Sequence, residues 1–145
     1  MPVTFTNNFK NILDKLRNVL RAEFKNALPI YVGHETQDAG TQFLRLDPVG
    51  SDFLETFTHG ESREYTIEMY YYFSEPNVNK SALDQVLRIV SRIEALIRQN
   101  HTMTLADDSS VNGCVVESTE LNASENENEY VVLFTWKAQH LANIS

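Results

Sequence analysis

The run Arg63-Glu-Tyr-Thr-Ile-Glu-Met-Tyr-Tyr-Tyr-Phe73 constrains the fold more than any other stretch of the chain. Successive side chains of a β-strand point to opposite faces, so Tyr65, Ile67, Met69, Tyr71 and Phe73 line one face and Thr66, Glu68, Tyr70 and Tyr72 the other. The first set suits a layer of helices; the second suits a partner. Residues 130–138 repeat the problem, with Tyr130, Val132, Phe134, Trp136 and Ala138 on one face and Val131, Leu133, Thr135 and Lys137 on the other. None of these side chains forms a catalytic pattern, and two strands with apolar material on both faces point to an assembly protein before an enzyme.

Two helices supply the expected cover. Phe5, Phe9, Ile12, Leu13, Leu16, Val19, Leu20 and Phe24 recur every three or four residues, which predicts a helix over 5–24 with Thr4 or Thr6 as its cap. Its other face carries Lys10, Asp14, Arg17, Arg21 and Lys25, read as a solvated face or a basic contact surface. A second helix over 80–99 follows from the stripe Leu83, Val86, Leu87, Val90, Ile93, Leu96 and Ile97, with Asn79 or Ser81 as cap. Short strands are expected over 30–34 and 41–46, the latter closed by a turn at Pro48 and Gly50. Residues 51–60 do not decide between a helix and a loop. Strands over 111–121 and 130–138 flank an exposed loop over 122–129 that holds Glu125, Glu127 and Glu129. Neighbouring strands joined by short polar turns make this a single α+β domain, a mostly antiparallel sheet with both helices packed on one face.

The 145 residues, 42% hydrophobic, suffice for one core. A formal net charge of -8 argues against a surface that wraps a phosphate backbone, because such surfaces concentrate Lys and Arg. Cys114 is the single cysteine, which excludes an internal disulfide framework and a multi-cysteine metal site; in a strand it reads as a small buried hydrophobe. No signal-peptide pattern and no apolar run of membrane-spanning length occurs, so a soluble product of a reducing, cytoplasmic compartment is expected. N-x-S/T triplets such as those at Asn100, Asn122 and Asn143 are then chance.

Candidate chemistry is sparse. His34, His59, His101 and His140 lack metal-ligand spacing, Asp107-Asp108 lacks the order of a calcium loop, and the five glycines form no phosphate-cradling motif. No serine sits in a nucleophile elbow. The expectation is no catalytic site, no metal and no cofactor.

The run Thr41-Gln-Phe-Leu-Arg-Leu followed by Pro48, the aromatic strand from Arg63 to Phe73 and the amphipathic helix from Ser81 to Gln99 together resemble the tail terminator and tail-completion proteins of tailed bacteriophages. The resemblance is one of pattern over nearly the whole chain and rests on no diagnostic motif. It implies a small α+β subunit of a ring, commonly a hexamer, that caps the tail tube and joins it to the neck or head. The implied partners are copies of itself, the tail tube protein and a neck or head-completion protein, with no membrane; the implied location is the virion, after assembly in the host cytoplasm. Tyr70, Tyr72, Leu133 and Trp136 are the expected subunit contacts, unless they fill a second layer beneath residues 51–60. Glu68, Glu125, Glu127 and Glu129 are candidates to line a lumen through which DNA passes without being held. Two other readings stand beside this one: another neck, connector or minor tail component, and an acidic immunity- or antitoxin-type module that binds a basic protein.

Overall fold

The computed structural model describes residues 7–25, 27–33, 42–58, 60–74, 80–123 and 129–143. Helix α1 spans Asn8–Phe24. Its cap is Asn7, whose side-chain oxygen accepts from the Lys10 amide at 3.2 Å; the threonines expected in that role lie outside the described residues. The helix stops at Lys25, which turns to φ 52° while its amide still donates to the Arg21 carbonyl at 2.7 Å. Ile12, Leu13, Leu16, Leu20 and Phe24 form its buried stripe. Helix α2, Lys80–Gln99, buries Val86, Val90, Ile93 and Ile97 in the same way.

The described residues also form six strands: β1 Ile30–Val32, β2 Gln42–Phe57, β3 Gly60–Ser74, β4 Met103–Thr104, β5 Ser110–Ala123 and β6 Glu129–Asn143. They form one sheet in the order β1-β2-β3-β6-β5-β4, antiparallel throughout except for the parallel pair β1–β2. The α+β architecture is therefore as expected, with both helices on one face of the sheet. Leu44, Leu46, Tyr65, Ile67, Met69, Tyr71, Val132, Phe134 and Trp136 point into the layer between sheet and helices and are essentially inaccessible. Among the described residues no helix is long and apolar enough to cross a membrane.

The largest departure from the sequence reading is β2. The turn expected at Pro48 and Gly50 does not form, and residues 51–57, undecided between helix and loop, continue the strand. Beyond Val32 the outer edge of β2 has no neighbour strand among the described residues, so there the missing N–H of Pro48 leaves no ladder bond unmade. The register with β3 shifts between Pro48 and Gly50 and again between Phe53 and Glu55, leaving Val49 and Leu54 as bulge residues. A similar shift between Asn112 and Val115 in β5 is taken up by Gly113 at φ 65°, a conformation in which glycine carries no steric cost.

Candidate interaction surface

The face of the sheet away from the helices has no second layer among the described residues. Since residues 51–57 lie within the sheet, they do not cover it. Pairing registers place its side chains in rows: Tyr31, Arg45, Tyr70 and Leu133 are successive cross-strand neighbours, with Phe43, Tyr72 and Val131 in the next row. The Tyr72 and Phe43 rings stack at 5.1 Å, Tyr31 lies 5.8 Å from Phe43, and the Arg45 guanidinium sits 4.8 Å above the Tyr70 ring. These groups are half-buried.

Carboxylates border the aromatic strip. The Tyr70 hydroxyl donates to Glu68 at 2.6 Å and the Tyr72 hydroxyl to Glu129 at 2.9 Å. The Glu68 bond raises the Tyr70 pKa, and desolvation followed by the Glu129 bond raises that of Tyr72, so both stay protonated donors in neutral solution. Asp47 pairs with Arg45 at 3.0 Å, and Lys137 with Glu117 at 2.8 Å, an interaction that raises the lysine pKa.

Of the residues singled out from sequence, Tyr70, Tyr72, Leu133, Glu68 and Glu129 thus meet on one surface. Glu125 and Glu127 lie outside the described residues. Trp136 requires a correction: it points to the helix side with no exposure at all, so its contacts are made within the protomer and it reaches no neighbour. The strand alternation had already put it on the face opposite Leu133, and the helices cover that face.

The second part of the surface was not read from sequence. Residues 51–57 of β2 are all exposed, and with residues 60–64 of β3 they form an arm of the sheet. Phe53, Leu54 and Phe57 remain 53%, 44% and 46% accessible. Arg63 packs over the Phe53 ring at 5.9 Å and pairs with Glu61 at 2.9 Å. The signal was present as large apolar residues among acids, but a bulge at Leu54 breaks the period of two by which a strand is recognised.

One polar cluster resembles catalytic parts without their order. The Ser109 hydroxyl donates to Asp107 at 2.5 Å and lies 3.0 Å from His140 Nε2. The serine proton is thereby directed to the carboxylate, and the imidazole is left to donate its Nε2–H to the serine oxygen, the reverse of what a general base requires. Cys114, buried, has its thiol pushed up to about 11 by desolvation, far from a reactive thiolate. Among the described residues no group of three or more His, Cys, Asp or Glu side chains is placed to hold a metal ion.

Comparison with known proteins adds a fold likeness. No protein-family model and no curated protein matches the chain. A solved structure that carries no functional description superposes over 96% of this chain and 97% of its own, with a TM-score of 0.62 at 13% identity. A chain from the virion of a native gene transfer agent particle superposes over 92% of this chain and 93% of its own, with a TM-score of 0.52 at 13% identity. At such identities the likeness is one of fold.

Proposed function

We propose that the chain is a structural subunit of a phage-like virion, and within it a tail-terminator-type protein whose copies close into a ring, a hexamer, on the end of the tail tube and dock the neck. The observation that carries this reading is the end-to-end fold likeness to a chain of an assembled virion particle, covering 92% of the residues here. Two features of the surface support it. The aromatic strip around Tyr70, Tyr72 and Leu133 and the exposed arm offer apolar area that a solitary soluble subunit has no need to display. The net charge of -8, with Glu68 and Glu129 on the open sheet face, suits a ring that lets DNA slide past and does not grip it. In this reading Glu125 and Glu127 join them at the lumen, and the tube protein and a neck protein are the axial partners.

The mass of the assembled species decides the matter. Mass photometry and native mass spectrometry of the purified chain, alone and with its tail tube protein, are expected to give a closed species of about six copies. A monomer under both conditions at high micromolar concentration would falsify the ring.

A further inference from the structure

A ring needs two different surfaces on each subunit, because head-to-tail contacts join unlike patches. Resting on the ring reading above, we infer that the β2–β3 arm of one copy seats against the α1–β1 flank of the next. The arm presents Phe53, Leu54 and Phe57 in an acidic setting: residues 50–64 hold four carboxylates, Asp52, Glu55, Glu61 and Glu64, and one arginine, Arg63, a formal charge of -3. The flank is its opposite. Residues 7–25 hold five of the twelve Lys and Arg of the chain against Asp14 and Glu23, a formal charge of +3 in a molecule of -8.

The flank is also hollow where the arm is full. Beside α1 runs an open groove of about 480 Å³ whose apolar floor is Phe9, Leu13, Val32 and Pro48 and whose rim carries Arg17 and Lys10, the latter paired with Asp14 at 3.3 Å. A second depression, rimmed by Arg21 and Lys25, continues along the same helix. The arm of the same molecule does not reach this groove, because it leaves from Pro48 at the groove's edge and is paired to β3 along its length out to Phe57 and Gly60. The occupant is therefore another copy. Other surfaces fit the arm less well. The outer edge of β5 carries Glu117 and Glu120 and repels it; α2, at a formal charge of +2 over residues 80–99, is less basic than residues 7–25 and exposes Leu83 and Leu87 as a ridge.

Two variants and their mixture test the contact by native mass spectrometry, with far-UV circular dichroism confirming the fold. An arm variant carries Leu54→Asp and Phe57→Asp; a flank variant carries Lys10→Glu and Arg17→Glu. The wild type is expected to form the ring and each variant alone to remain monomeric. An equimolar mixture should stop at the heterodimer, because one sound arm and one sound flank remain between the two chains. Wild-type rings with both variants also forming rings would overturn the contact and leave the ring standing. Loss of the ring with the arm variant but not the flank variant would mean a different receptor surface and overturn the assignment. A wild type that stays monomeric both alone and with the tail tube protein removes both the contact and the ring.

Discussion

His140 shows what a single buried side chain does to this fold. It is 2% accessible, lies edge-on to the Tyr65 ring at 6.1 Å, and its Nδ1 has no hydrogen-bond partner among the described residues. Desolvation lowers its pKa below the ordinary 6.5, and the nearby Asp107 opposes that shift without reversing it. The unfolded chain therefore binds a proton near pH 6.5 that the folded chain refuses, so stability is full above that pH and falls as the pH drops through it. Urea midpoints at pH 7.5 and pH 5.5 should show a loss for the wild type and a smaller loss for His140→Phe, about 1 pH unit on either side of the ordinary imidazole value. Equal losses would mean that the other histidines or the carboxylates carry the acid response. Nothing around residue 140 in the sequence announces this, because a histidine near the end of a strand is silent until its face is known. The same gap explains Trp136. Alternation assigns side chains to two faces but does not say which one the helices take, and in a strand apolar on both sides each face is a plausible contact. Cys114 was legible, since a small residue within a strand pattern needed only burial.

At the scale of elements, the helices were readable because a stripe of period 3.6 is long enough to survive local exceptions, and α2 occupies the residues its stripe marked. The two helices are joined side to side by Arg92. Its guanidinium donates to the Glu23 carboxylate at 2.8 Å and to the Glu23 carbonyl at 3.1 Å, and lies 4.6 Å over the Phe24 ring. The pair is half exposed, so its ionic part is weak and its stacking on Phe24 the larger share. Arg92→Ala should lower the unfolding free energy by roughly 1 kcal/mol in denaturant titrations, and Arg92→Lys should recover little of it, since an ammonium does not form the planar fork. A full recovery by lysine would show that charge alone holds the helices together. The strands were less legible than the helices. β3 and β6 keep a strict period of two, whereas β2 contains Pro48, Gly50 and two bulges, each of which reads as a strand end when only neighbours in sequence are considered. β4, of two residues, is below the length at which any period exists.

For the whole molecule, the uneven placement of charge matters more than its total. A chain of net -8 that gathers +3 on one flank and -3 on the arm has an electrostatic axis, and a contact between those poles is screened by salt. The assembled species should accordingly dissociate several-fold more readily in about 0.5 M than in about 0.05 M sodium chloride, where the Debye length falls well below the span of the contact. Salt independence in analytical ultracentrifugation would assign the association to the aromatic strip and other apolar surface. The sheet itself contributes a last consequence through Val49. Before that bulge the even-numbered residues of β2 face the helices; after it, Ser51 pairs with Tyr65 and the odd-numbered ones take that side as far as the second bulge at Leu54. One supernumerary amino acid thus lets a continuous ribbon obey two reading frames without losing its ladder to β3. Excising Val49 would therefore straighten the ribbon while leaving Ser51 opposite Tyr65 and Phe53 opposite Arg63.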